Sequence, residues 1–317
     1  MKWVAWRQSR LELIIGLFIL AGLAALLVPL GLQQLSLFKS LGLATMSPAA
    51  AQYAALSQQF LDSYPQWLSS VVNISGVMLF VFCALLAVPV VLEFEQRTHR
   101  LAWTQSITRR RWILTKLGFG LLAAVVFSAL YCVLMGWFLG PQNTLTGAFN
   151  NFNQDGIVPI AFAVFTFAVA LAVGVLSRRS AVGVIAAVVV CVAAVTAALP
   201  VLSQGLPLHY LTPLEEVSPF TLPTPSLGQN QNITVRVGAD LPIGSLVVNN
   251  YFIDASGNHV NLIQTINTSP GNIISQVTDY QPPHRYWAFQ GVEAVAFFGA
   301  SIVLLCGSFW VIERRKG

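Results

Sequence analysis

Charge is what this chain most lacks. Of its 317 residues, 9% are Asp, Glu, Lys or Arg and 56% are hydrophobic, whereas soluble domains average roughly 25% charged residues. A soluble globular domain is therefore excluded, and the composition is that of an integral membrane protein. Cysteine is scarce and scattered. Cys83, Cys132, Cys191 and Cys306 each fall inside an apolar run with no CxxC spacing, which excludes a disulfide framework and leaves free thiols. The four histidines, His99, His209, His259 and His284, make no metal-ligand pair, so no metal site is expected. No GxxxxGK[ST] phosphate loop, no HExxH and no GxSxG elbow occurs, so ATP binding by a phosphate loop, zinc proteolysis and a serine-hydrolase site lack their residues. No carboxylate pair lies deep in an apolar run, and no enzyme reading has residues to stand on. The net charge of +5 does not point to nucleic acid, because the basic residues sit beside apolar runs.

What the chain has is hydrocarbon-length apolar segments. Six reach the ~20 residues needed to cross ~30 Å of hydrocarbon, at roughly 11–32, 71–92, 117–140, 157–177, 181–203 and 287–312. Open backbone cannot face lipid, so each is expected to be a helix. The first is longer than the roughly 7–15 residues of a signal-peptide core, so it reads as a retained span. Alternating the loops places 14 Lys and Arg on one side and only Lys39, Arg236 and Arg285 on the other. The positive-inside rule then makes both termini cytoplasmic. The expected fold class is an all-α polytopic membrane protein of six transmembrane helices with a small extracytoplasmic β-containing segment between helices 5 and 6. Residues 1–203 hold the first five spans, with a cytoplasmic loop at 93–116. Residues 204–286 are the extracytoplasmic segment, and residues 287–317 are the sixth span and its basic tail.

Several local features refine this. Residues 1–10 hold two Trp and three basic residues; they are either an amphipathic surface helix or flanks of the first span. The stretch AAAQYAALSQQFLDSY has helical character, stopped by Pro65. Pro89 is expected to kink the second span, and Gly140-Pro141 to end the third. Only Ser177-Arg178-Arg179-Ser180 joins the fourth and fifth spans, a tight hairpin. The fifth is rich in Ala and Val with Gly183, which predicts close burial in the bundle. Beyond it, TVRVGAD and GSLVVNNYFID have strand propensity, and Asp254 to Asn258 reads as a turn.

Two places carry candidate function. Gln290 and Glu293 lie three apart on one face of the last span, and an ionisable residue inside a span is a functional hypothesis by default. With Asn73, near the outer end of the second span, they are the candidate path or gate residues. The bland alternative is an interhelical hydrogen bond, or a contact with Arg285 or His284. The second place is Glu93–Lys116, which holds six of the 17 Lys and Arg residues. It is either an interfacial connector anchored by Trp103, Trp112 and its arginines at lipid phosphates, or a docking element for a cytoplasmic partner.

The pattern Glu93-x-Glu95-x-x-Thr98-x-x-Leu101-x-x-Thr104-Gln105-Ser106-x-Thr108-Arg109-x-Arg111-Trp112-x-x-x-Lys116 resembles the loop between the second and third spans in permease subunits of type-2 ABC exporters, closest to an actinobacterial-like branch. Trp6-Arg7-Gln8-x-x-Arg10 and Arg285-Tyr286-Trp287-x-Phe289-Gln290-x-x-Glu293 support it. Arg97 stands where the family pattern has Gly, which puts the tight turn into the coupling helix in doubt. The resemblance implies a multi-pass protein of a bacterial cell membrane, surrounded by lipid, that pairs with a second permease as a homodimer or heterodimer. A separate cytoplasmic ABC ATPase would dock on Glu93, Glu95, Thr98, Leu101, Thr104, Gln105, Ser106, Thr108, Arg109 and Arg111. No cofactor belongs to this chain; ATP and Mg are expected on the ATPase. The uncharged span interiors suggest an amphiphilic or apolar cargo moved outward. The competing readings are a membrane sensor or scaffold whose 204–286 segment binds a ligand or partner, and an intramembrane enzyme using Glu293.

Overall fold

The computed structural model describes residues 2–48, 50–96, 108–203, 213–221, 241–254, 256–260 and 273–314. The chain packs as two compact units. One is helical and comprises Met1–Thr144, Asn151–Thr196 and Trp287–Gly317; the other comprises Leu145–Asn150 and Ala197–Tyr286.

In the helical unit, α1 (Lys2–Ser40) is one continuous helix. Residues 2–10 are therefore its first turns, not a separate surface helix, and it overruns the expected end at residue 32. Pro29 does not stop it. The helix stops where Gly42 takes φ +70, a left-handed backbone that glycine adopts without steric cost. Short α2 (Tyr53–Asp62) seats Phe60 between Phe38 and Tyr64, edge to face at 5.4 and 5.6 Å. Pro65, extended, then caps the start of α3 (Gln66–Leu85). Helix α4 (Val88–Glu95) follows after a break at Leu86-Ala87. The break is the expected effect of Pro89, which has no N–H to donate to the Leu85 carbonyl.

Helix α5 (Arg109–Thr146) corrects the stop expected at Gly140-Pro141, because it runs through both. Pro141 removes a single bond, to the Trp137 carbonyl, and such a gap is tolerated in long membrane helices. The terminator is Gly147, at φ +89. Helix α6 (Val158–Ser177) buries fifteen of its 20 residues, which makes it the core of the unit. It ends at left-handed Arg178, whose N–H returns to the Gly174 carbonyl, and α7 (Ser180–Ser203) turns back from there. Gly174 and Gly183 meet at the crossing, where a Cβ on Gly183 would strike the Ala170 carbonyl. The tight hairpin is as expected. In the described side chains of α7 between 180 and 190, Gly183 and Ala187 are buried and Val182, Ile185 and Val189 are exposed, so this part is less buried than its composition predicts. Helix α8 (Tyr286–Arg314) completes the unit.

Among the described residues, five stretches are long and apolar enough to cross a membrane: Ser9–Ser40, Gln66–Glu95, Arg110–Thr146, Val158–Ser177 and Pro283–Arg314. The described apolar part of α7 is Ser180–Val190. The chain is thus a multi-pass membrane protein.

The second unit holds a four-stranded antiparallel sheet in the order β1-β4-β2-β3. Its strands are β1 (Leu214–Thr221), β2 (Leu246–Ile253), β3 (His259–Val260) and β4 (Ile273–Gln281). Strand β4 is central, pairing Val277 with Val217 on one side and Tyr251 on the other. A bulge falls between Val247 and Asn249. Strand β2 and the turn after it match the sequence reading, whereas TVRVGAD lies outside the described residues. In the turn, Asp254 Oδ1 accepts from the N–H groups of Ser256 (2.8 Å) and Asn258 (2.9 Å). In the same unit Gly147 abuts Gly244, both at positive φ, with no room for a Cβ between them.

Candidate functional site: a clamped charged end and a buried polar cluster

The charged end is built where α4 stops and α5 starts. Glu93 and Lys116 form a largely buried ion pair, with the lysine buried and the glutamate partly so. Trp112 and Lys116 are four apart on α5 and so share a face. The Lys116 ammonium lies over the Trp112 ring at 5.1 Å, and Phe94 meets that ring edge to face at 5.6 Å. Glu95 reaches the start of α7, where its Oε2 accepts from the Ser180 N–H and hydroxyl, both at 3.0 Å. A carboxylate at a helix N-terminus satisfies free N–H groups and the positive end of the helix dipole. Arg110 Nε donates to Glu313 Oε1 at 2.7 Å, tying the start of α5 to the end of α8. The two stems of the charge-rich run are therefore fastened to each other, to α7 and to α8.

Of the residues predicted to dock a partner, Glu93 and Glu95 hold contacts within the chain, Glu93 with Lys116 and Glu95, itself exposed, with Ser180. Thr108 is exposed, and its carbonyl accepts the Trp112 N–H at 3.1 Å. Arg109 opens α5 and Arg111 is exposed. Thr98, Leu101, Thr104, Gln105 and Ser106 lie outside the described residues, as does Arg97.

The polar cluster lies toward the other end of α5. The connection from α5 to α6 reads as a solvent loop, NNFNQDG, yet its last residues turn back among the helices. Tyr131 donates to Gln154 Oε1 at 2.5 Å, and the Tyr131 and Ser75 hydroxyls are 3.1 Å apart. Asn143 donates to Asp155 at 3.1 Å and accepts from Asn151 at 2.8 Å. Room for the intruding side chains comes from two span glycines. A Cβ on Gly76 would lie 2.9 Å from Gln154, and one on Gly136 would lie 3.0 Å from Asp155.

Gln290 closes the cluster from α8 and is fully buried. Its Oε1 accepts from the N–H groups of Ile157 (3.0 Å) and Val158 (2.9 Å), while its Nε2 donates to the carbonyls of Phe152 (2.9 Å) and Asp155 (3.1 Å). Helix α6 has no cap from its own N-cap side chain, so α8 supplies one. Gly156, at φ +81, permits the approach; a Cβ there would sit 2.7 Å from Gln290.

Glu293, one turn on, is 3% exposed, and neither carboxyl oxygen has a hydrogen-bond partner. Four residues further, Phe297 stacks on Phe162 at 4.1 Å. Gln290 and Glu293 therefore share the face turned to α6, as their spacing predicts. Asn73 is exposed, and the structure does not bring it to them. The sequence reading missed Tyr131, Gln154, Asp155 and Asn143. The available signal was the run of amide and acid side chains before Gly156, facing glycines inside two apolar spans.

Chemically, the cluster is a set of neutral and acidic hydrogen-bonding groups that fix the backbone entering α6. Among the described residues, no group of three His, Cys, Asp or Glu could hold a metal ion. Cys83 is buried and Cys306 is exposed.

No curated protein and no solved structure matches the chain. One family description does, "ABC-2 membrane transporter related", over residues 17–203. That stretch is more than half of the chain and takes in the charged end apart from Glu313, together with Ser75, Tyr131 and the loop carrying Gln154 and Asp155. The chain belongs to the ABC-2 membrane transporter related family and is a transmembrane permease of the ABC transporter type.

Proposed function

We propose that this permease is the membrane subunit of an ATP-driven exporter, moving an amphiphilic or apolar substrate outward. A separate cytoplasmic ATPase supplies the energy, and a second permease completes the path. Six spans with cytoplasmic termini put the charged end on the ATPase side and the sheet unit outside, following the distribution of Lys and Arg. The observation that carries the reading is the fastening of both stems of the 97–107 segment by Glu93–Lys116, Glu95–Ser180 and Arg110–Glu313. A force applied to that segment reaches α4, α5, α7 and α8 together. A loop that only connected two spans would not need ties to two further helices.

The test is co-purification with a candidate ABC ATPase, followed by ATP hydrolysis in vesicles. Replacing 98–111 with a Gly/Ser linker of equal length is expected to abolish both complex formation and permease-dependent stimulation. Survival of both would end the docking reading. The compact sheet unit favours one alternative, a sensor or scaffold. That reading requires the full chain to bind an extracytoplasmic ligand with no ATPase present.

A further inference from the structure

We propose that the groove between α1, α3 and the middle of α5 is a binding site for one acyl chain of a bilayer amphiphile. The groove has a volume of about 360 Å³ and is almost wholly apolar. Its rim residues Phe18, Ile74 and Met78 are exposed, while Leu79, Tyr131 and Ser75 at its floor are buried. It runs along α3 from Val71 to Phe82, about 16 Å at ~1.5 Å per residue. That is close to half of the ~30 Å hydrocarbon core, the depth of one leaflet and so of one chain. All three walls belong to stretches long and apolar enough to span a membrane, so the medium beside the groove is hydrocarbon.

Two observations single out a chain as occupant. First, the polar atoms at the floor are already spent. The Ser75 hydroxyl lies 2.7 Å from the Val72 carbonyl and that of Tyr131 lies 2.5 Å from Gln154. Both hydroxyl protons have acceptors, so a polar ligand would lose its hydration and find no free donor. Second, the groove's length along α3 matches a chain's reach through one leaflet, and its open side at Phe18, Ile74 and Met78 faces the hydrocarbon from which a chain would enter. The inference rests on the membrane spans and not on pumping, so it stands or falls separately from the export reading.

The test uses the full chain in phosphatidylcholine vesicles containing a trace of phosphatidylcholine with a photoactivatable group midway along one acyl chain. Labelled residues are mapped by mass spectrometry. Labelling of Phe18, Ile74 and Met78 is expected to exceed that of Val295 and Ile302 by at least threefold. Those two α8 residues are comparably exposed but lie outside the groove. Gly22 lines the groove and has no atom within 4 Å of where its Cβ would be. Gly22→Phe is expected to fill the groove and reduce labelling there to the α8 level, with α8 labelling unchanged as evidence of folding. Gly299→Phe, equally unobstructed, is expected to change nothing in the groove. Labelling no stronger than on α8, insensitivity to Gly22→Phe, or crosslinks from the groove to a second copy of the chain would overturn the assignment.

Discussion

Gln290 holds four backbone groups of another segment with a single neutral side chain, which makes it the residue whose loss should be felt most. Gln290→Leu removes the partners of two N–H and two C=O groups while keeping the volume. Each group left buried and unpaired costs about 1–3 kcal/mol, so a loss of about 3 kcal/mol or more is expected. It is read as a lowered thermal midpoint in detergent. Gln290→Glu keeps the acceptor side but sets a carboxylate oxygen against the Phe152 and Asp155 carbonyls in a buried site, and should lose at least as much; an unchanged midpoint in both variants would remove the capping role. The Glu93–Lys116 pair makes a complementary case. Removing one partner of a buried ion pair leaves an uncompensated charge and typically costs 3–5 kcal/mol, whereas replacing both by apolar groups is often close to neutral. Glu93→Leu and Lys116→Met are each expected to destabilise strongly, and the double variant to recover most of the loss. Additive losses in that cycle would mean that the two side chains do not act as a pair.

At the scale of elements, what could be read from the sequence was what local chemistry dictates. Pro89 broke a helix where its missing N–H required, Ser177–Ser180 made a hairpin, and Asp254 to Asn258 made a turn. What could not be read depended on distant partners. Strand β4 (IISQVTDYQ) carries buried Gln276 and Thr278, whose polar groups are met by Asn250 of β2, so its buried face does not look apolar. Strand β1 contains Pro219, which argues against a strand except at a sheet edge, and the edge is where β1 lies. The polar cluster was half legible for the same reason. The spacing of Gln290 and Glu293 is local, but Tyr131 and Gln154 meet across 23 residues that read as a span end and a solvent loop.

The β2–β3 hairpin offers a pH test at this scale. The Asn258 backbone N–H above all, with that of Ser256 and the Asn258 side chain assisting, holds the Asp254 carboxyl below its ordinary range. A depressed carboxyl stabilises above its unfolded pKa of ~3.9, and that contribution is lost as pH falls through the depressed folded value. Asp254→Ala is therefore expected to destabilise the sheet at neutral pH. The difference from the unmodified chain should shrink to nothing in strong acid. A difference independent of pH would mean that the charge of Asp254 is not what matters.

For the whole molecule, the number of crossings decides which surfaces share a compartment. Helix α7 has 24 residues, or about 36 Å at ~1.5 Å each, enough for a ~30 Å core. If it crosses, the spans number six and the 14 basic residues of one side stay together. If it does not, Arg178 and the sheet fall on the same side, and the basic residues of α8's end are separated from Arg110. The Arg110–Glu313 bond favours the first arrangement, because it brings the start of α5 and the end of α8 to one level. Single cysteines at Arg111, Arg178, Gln52, Asn150 and Ser256, all exposed, test it in a chain whose native cysteines are replaced. With an impermeant thiol reagent applied outside intact cells, Gln52, Asn150 and Ser256 positions are expected to label. Arg111 and Arg178 positions should label only after the membrane is opened. Labelling of the Ser256 position only in opened cells, together with that of Arg178, would reduce the spans by one and move the sheet to the cytoplasmic compartment.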